Sequence, residues 1–226
     1  MRVGEFLASY PGDSGRVFEW IELRRQGDVW MGQVTGLGAE GATTHLRSRS
    51  GNDDGFIAEL GATGAATAIL DLKIVERGEG EMVLSGRRVQ TGSSSEDGAM
   101  AAFMAEYDAR VEIRTSAIHG HGVFARRDLA AGAVITVIRG EMTRVQTPHS
   151  ARITDDVHCE PTGYLRYINH CCDANSVIDA SDPARPLLRA RRAIAAGEEI
   201  NFDYIENEGE IVGGFACNCG AATHHI

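Results

Sequence analysis

The stretch "YLRYINHCCDANS" (164–176) decides how this chain is read. It sets an Asn-His pair directly before two adjacent cysteines, and a second asparagine, Asn175, follows three residues later. Taken alone, it suits a metal site, a catalytic thiol, half of a disulfide, or a piece of core that contains cysteine. The placement of the other cysteines narrows the choice. All five, Cys159, Cys171, Cys172, Cys217 and Cys219, fall in the last 68 of 226 residues. Their number is odd, and the first fifteen residues hold no sustained apolar run that would act as a secretory signal. Together these argue against a disulfide framework and for a reducing compartment, with the cytoplasm as the expected location. Cys217 and Cys219 stand in C-x-C spacing, too close to pair with each other without strain but suited to a shared metal.

Composition sets the class. Hydrophobic content of 43% with 24% charged residues is that of an ordinary globular chain, long enough for one large domain or two small ones. Apolar runs such as "AAGAVITVI" (130–138) are far shorter than the roughly 20 residues needed to span a bilayer, so no membrane partner is expected. Net charge is −10, with 10 basic and 15 acidic residues in 1–100 and 12 and 17 in 101–226. No basic face is indicated, which argues against direct nucleic-acid binding through phosphate neutralisation. The acidity favours a basic partner such as a Lys/Arg-rich peptide, and it also serves solubility.

Two textures divide the chain. Residues 1–90 read as a small β-rich domain of unknown role. "VFEWIELR" (17–24), "RQGD" (25–28) and "VWMGQV" (29–34) form a hairpin pattern, and 67–89 repeat it around "RGEG" (77–80). The polar, glycine-rich 38–55 reads as a long loop, and Trp20 and Trp30 are expected in the core. Residues 91–109 read as a linker, "TGSSSEDGA", followed by a short helix over 99–107. From Arg110 onward the pattern is short apolar strands separated by glycines and charged turns.

Four pieces of this second half stand in order: "SAIHGHGVFARRDLAAGAVI" (116–135), "RGE" (139–141), the opening stretch, and "RAIAAGEEINFDY" (192–204) followed by "FACNCGAATHH" (215–225). Alone, "GHG" (120–122) reads as a tight turn rather than as a place where backbone approaches a ligand closely. "AAGEEI" leads into a strand whose alternation places Ile200, Phe202 and Tyr204 on one face.

In combination, these pieces resemble the SET-domain protein lysine methyltransferases. That family carries G-x-G-V-F-A, a G-E after a strand, R-F-I-N-H-S-C-x-P-N, G-E-E-[LI]-x-F-D-Y and a terminal post-SET C-x-C-x4-C. The resemblance covers 110–226, as a SET domain over 110–205 and a post-SET segment over 206–226. It implies a mainly β fold of small sheets, the SET-type β-clip, with a C-terminal pseudoknot. It also implies S-adenosylmethionine as cofactor and methylation of lysine side chains in a protein, with a basic protein or lysine-containing peptide as partner. Carried over by residue, His119, Gly120, His121 and Gly122 match the loop that cradles the cofactor's methionine end. Asn169 and His170 match the pair that hydrogen-bonds the cofactor. Tyr204 matches the tyrosine at the methyl-transfer channel, where it also borders the cofactor. Phe202 matches the position that gauges how many methyl groups fit, and an apolar residue there leans toward di- or trimethylation. Cys172, Cys217 and Cys219 match three ligands of a structural zinc, with His224 at the fourth position, while Cys171 takes the family's serine position as a buried neighbour.

The chain departs from the pattern in three places. Ile138 stands where the family has a pocket tyrosine, Ala174 replaces a proline, and the stretch between Glu141 and Tyr164 is short for a groove wall. The N-terminal β domain is a candidate to supply that wall. Two further functions stay open on these grounds: methylation of a small amine or free amino acid, and a non-catalytic SET scaffold or binding module.

Overall fold

The computed structural model describes residues 2–12, 15–26, 28–37, 43–51, 55–62, 65–78, 81–91 and 100–224. The chain divides into two compact units, Met1–Ala109 and Arg110–Ile226.

The first unit is a closed antiparallel barrel of eight strands in chain order. These are β1 (Arg2–Gly12), β2 (Gly15–Gln26), β3 (Val29–Gly36), β4 (Thr43–Gly51), β5 (Gly55–Ala62), β6 (Ala65–Gly78), β7 (Glu81–Gln90) and β8 (Met100–Asp108). Both predicted hairpins are present, with Gln26 opposite Val29 and Gly78 opposite Glu81. Alternation along each strand fills the interior with Phe6, Ile21, Leu23, Trp30, Leu46, Phe56, Leu60, Leu70, Leu72 and Leu84. Trp30 is a core residue stacked on Phe56, as expected. Trp20 is not; one residue from Ile21, it lies on the opposite, outward face and is half-buried. Toward the end of the barrel that holds Gly12 and Gly36, Arg88 donates to Glu19 at 2.8 Å and lies 4.4 Å over the Tyr10 ring.

Two expectations are corrected here. The predicted loop over 38–55 contains a strand, β4, paired to β3 and β5. The predicted helix over 99–107 is instead β8, which pairs with both β7 and β1 and closes the barrel. Its alanines and methionines favour a helix locally, but the open edges of β1 and β7 carry backbone groups that only a strand can satisfy. The β unit therefore runs to residue 109 rather than 90, and the predicted linker over 91–99 lies, from residue 92 on, outside the described residues.

The second unit is also built from small sheets. A larger one has strand order β11-β17-β16-β18-β10-β9, made of β9 (Val111–Thr115), β10 (His121–Ala125), β11 (Val134–Val137), β16 (Ser176–Asp179), β17 (Leu187–Ala190) and β18 (Glu199–Phe202). The two-residue β15 (Asn169–His170) pairs with β18 in parallel, placing Asn169 opposite Asn201 and His170 opposite Phe202. A three-stranded sheet has order β12-β14-β13, from β12 (Gly140–Thr143), β13 (Ala151–Thr154) and β14 (Val157–Pro161). The mainly β fold expected of a SET domain is thus observed. Apolar residues of the larger sheet, Val111, Val123, Ile135, Leu188 and Ile200, are fully buried. Among the described residues, no helix is long and apolar enough to cross a membrane.

β18 is the element that positions the site. It pairs antiparallel with β10 and parallel with β15 and β16, and His170 and Ser176 both pair with Phe202, so β15 and β16 lie on opposite edges of it. Directly after it Asp203 caps a five-residue helix, α1 (Tyr204–Glu208), accepting from the backbone N–H of Ile205 and Glu206. Tyr204 is therefore the first residue of a helix, not the last of the strand face shared by Ile200 and Phe202. The cap turns the chain, and with it the tyrosine.

Candidate active site and cysteine cluster

The GHG turn is fixed from below by two side chains. Glu199 of β18 accepts from the Ser116 hydroxyl at 2.7 and 2.9 Å and from the Asn169 amide at 2.8 Å. The same amide nitrogen lies 3.2 Å from the His119 carbonyl and 3.1 Å from that of His121. Gly120 has φ of +48°, a conformation that favours glycine. Gly122 is glycine for a second reason: a Cβ there would lie 2.2 Å from Glu199 Oε1. Both imidazoles of the turn are exposed, and His121 meets Tyr167 edge-on at 6.3 Å. Asn169 thus spends its side chain on the loop, so the groups this segment can offer a ligand are backbone groups.

His170 joins this region to the next. Its Nδ1 accepts from the Tyr204 backbone N–H at 3.1 Å, which leaves the proton on Nε2, 3.2 Å from the Cys172 sulfur. With Nδ1 so used, the Asp203 carboxylate 3.8 Å away is a neighbour of a neutral ring rather than an ion-pair partner. The His170 ring packs edge-on against Tyr204 at 5.3 Å and Phe215 at 5.4 Å, and Tyr204 packs on Phe202 at 4.7 Å. The Tyr204 phenol donates to the Ile168 carbonyl at 2.6 Å. Burial, aided by the charge of Glu199, raises its pKa above the ordinary tyrosine value, so the phenol stays a neutral donor.

An open cleft adjoins these residues. One wall is the 146–151 segment between β12 and β13; Leu165, Arg166, Phe202, Tyr204, Glu208, Ile211 and Val212 complete the lining. The short 141–164 stretch thus provides a wall within its own unit. Ile138, at the family's pocket-tyrosine position, is buried and is not part of the lining.

Cys172, Cys217, Cys219 and His224 converge, with all four potential ligand atoms within 4.8 Å of one another. Cys172 and Cys217 sulfurs are 3.8 Å apart, and His224 Nδ1 lies 3.3 Å from Cys217 and 3.9 Å from both Cys172 and Cys219. Zinc–sulfur bonds of about 2.3 Å and zinc–nitrogen bonds of about 2.0 Å in a tetrahedron require separations of about 3.8 and 3.6 Å. The four side chains are therefore compatible with a zinc ion. Burial opposes the Cys219 thiolate, but backbone donors from Cys172 and Ala221 outweigh it and bring the pKa to about 6. Cys171 is buried beside the cluster and outside the four, as its sequence position implied.

All twelve predicted site residues thus fall in three connected groups: the GHG turn with Asn169, the aromatic set around Tyr204, and the cysteine cluster. Sequence reading missed four contributors. Glu199 was legible only as part of a turn, and Phe215 only as a neighbour of C-x-C. Glu208 and His158 carried no signal, because their pairing spans 50 residues.

Comparison with known proteins agrees with this arrangement. The SET domain family matches residues 120–205. The histone-lysine N-methyltransferase trr of Drosophila melanogaster is 30% identical over 139 residues, spanning 51% of this chain and 6% of that protein. An H3 lysine-4 specific histone-lysine N-methyltransferase of Saccharomyces cerevisiae is 31% identical over 128 residues, 47% of this chain and 12% of that one. The set1 enzyme of Dictyostelium discoideum is 28% identical over 116 residues, 42% of this chain and 8% of that one. The chain therefore covers only a small part of these relatives' length. A solved structure of a humanized mutant of the Chaetomium thermophilum Polycomb Repressive Complex 2, bound to an inhibitor, matches with a TM-score of 0.37 and 22% identity over 43% of this chain and 15% of that one. Residues 120–205 are a SET domain, and across them this chain is a relative of the histone-lysine N-methyltransferases.

Proposed function

We propose that this chain is an S-adenosylmethionine-dependent N-methyltransferase acting on lysine side chains of a basic protein. The observation that carries the reading is the placement of the Tyr204 phenol, bonded to the Ile168 carbonyl, where the aromatic set meets an open cleft. An open cleft walled by the 146–151 segment of this unit is consistent with a polypeptide substrate.

When bound, S-adenosylmethionine supplies an electrophilic methyl group on a sulfonium. The backbone of His119, Gly120, His121 and Gly122, with that of Asn169 and His170, would hold it. Tyr204 and the exposed ring of Phe215 offer π faces of the kind that attract a sulfonium cation. The transfer needs a neutral amine aligned opposite the leaving sulfur, and holding that alignment lowers the barrier by removing orientational entropy. The Tyr204 oxygen and the Ile168 carbonyl fix polar groups at that point, and the packed rings exclude water, which strengthens those dipoles. Phe202 is apolar and anchors no water there, which favours more than one transfer to the same nitrogen. Cys172, Cys217, Cys219 and His224 would hold a structural zinc, and His170 Nε2 would tie that metal to the strand before Tyr204. Cysteine usage supports a reducing, cytoplasmic setting.

The test is incubation of the protein with labelled cofactor and lysate proteins, read by mass spectrometry. Methyl groups on lysine are expected. The Tyr204→Phe variant should lose about 100-fold in kcat, on the order of one oxyanion-type donor, while still binding the cofactor. Labelling of metabolites alone, or equal activity in the variant, would count against the reading.

A further inference from the structure

We propose that Glu208, held by His158, is the group that receives the proton of the substrate ammonium before methyl transfer. The inference rests on the methyltransferase reading above, but it concerns a pair of residues which that reading does not use.

The observations begin with position. Glu208 ends α1, the helix that Tyr204 begins, and it is among the residues that line the same cleft as Phe202 and Tyr204. Among the described residues that line this cleft it is the one carboxylate. It is 6% exposed, and a carboxylate is rarely buried to that degree without a partner that accounts for it. The partner it has is incomplete. His158 Nδ1 stands 3.4 Å from Oε1 and 3.0 Å from Oε2, yet Oε2 has no donor in hydrogen-bond geometry. One carboxylate oxygen, buried behind the cleft lining, is thus left to accept a proton or a hydrogen bond.

The surroundings are those of an acceptor rather than of a fixed ion pair. Arg152 of β13 is close by, but its guanidinium bonds the Glu208 backbone carbonyl. Arg166, which also lines the cleft, is bonded to Glu160. Glu206, on the same helix, is paired with Arg191. His149 lines the cleft with its pKa lowered by burial and by Arg166, so it too is poorly suited to carry charge there. Burial raises the Glu208 pKa, and His158 and Arg152 oppose that rise. A carboxyl group tuned upward is a better proton acceptor than an ordinary glutamate.

The step balances simply. The lysine ammonium gives one proton to the Glu208 carboxylate, leaving a neutral amine and a carboxylic acid. The amine nitrogen then bonds to the methyl carbon as the carbon–sulfur bond breaks, and the bonding pair leaves on sulfur. Glu208 returns its proton to water past His158 before the next transfer.

The test is the pH dependence of kcat for a lysine peptide identified from the labelling above, with cofactor binding measured by calorimetry in parallel. Wild type should show a rate that rises with pH through one ionisation. Glu208→Gln should lose about 100-fold at neutral pH with cofactor affinity unchanged. Its rate should recover as pH approaches the lysine's own pKa of about 10.4, because water then removes the proton. Glu208→Asp should retain part of the neutral-pH rate. His158→Asn removes a neighbour that lowers the Glu208 pKa and should move the ionisation to higher pH. A Glu208→Gln enzyme with the wild-type profile, or one equally impaired at every pH, overturns the inference while leaving the methyltransferase reading intact. Wild-type protein that binds cofactor but methylates no lysine at any pH overturns both.

Discussion

Asn175 is fully buried and behaves as a piece of strand. Its backbone N–H donates to the Asn201 side-chain oxygen, and its own side-chain oxygen accepts from the Asn201 backbone N–H, both at 3.0 Å. Its amide also donates to the Glu199 carbonyl at 2.8 Å. The second asparagine of "YLRYINHCCDANS" therefore holds β18 in place from the side, while Asn169 secures the GHG turn and His170 links Tyr204 to Cys172. Asn175→Ala would strand a buried backbone N–H and a carbonyl and should cost about 3 kcal/mol of the second unit's stability, measured by denaturant unfolding. The spacing of these polar residues is visible in sequence, but their partners are not. Apart from the His170–Cys172 contact two residues on, these bonds reach groups more than 20 residues away, and hydrogen bonds of that range leave no periodic trace.

At the scale of elements, α1 shows how a short segment can be decisive yet illegible. Five residues make little more than one turn, too few for an apolar period to be seen and too few to be stable alone. The helix persists because Asp203 caps its first N–H groups and Asn207 grips the strand beside it. The Asn207 side chain accepts from the Arg152 N–H at 2.9 Å and donates to the Arg152 carbonyl at 3.0 Å, taking the place of a neighbouring strand. Asn207→Ala should therefore lower stability by about 2 kcal/mol. It should also lower kcat more than it raises KM, because it loosens both ends of a helix that carries Tyr204 and Glu208; steady-state kinetics on a methylated peptide would show this. β8 makes the complementary point, since there the requirement to close a barrel overrode a helical local preference.

At the scale of the whole molecule, two units with separate cores imply two unfolding events. The barrel is secured by its apolar interior and by the Glu19–Arg88 pair within it. The second unit is secured at its C-terminal end by the cysteine cluster, which joins Cys172 to residues more than 40 positions later. Chelation of zinc should lower the melting temperature of the second unit by about 10 °C, the shift that ~2 kcal/mol produces in a unit of this size. The barrel's transition should stay where it was, and calorimetry of native and chelated protein would separate the two. A shift in both transitions, or in neither, would contradict the assignment of the cluster.

The sequence by itself determined the β character of both halves, the hairpins and the family resemblance of the second half, and through that resemblance it raised the expectation that Cys172, Cys217, Cys219 and His224 meet. Those features are written in alternation, turn residues and motif spacing, which are local or shared with a family. Only the tertiary structure decided that β8 closes a barrel, that Tyr204 heads a helix, that Glu199 and Asn175 brace the site, and that Glu208 meets His158 at the cleft. Each of these depends on which distant backbone or buried charge needs a partner, a requirement that arises only once the chain has packed.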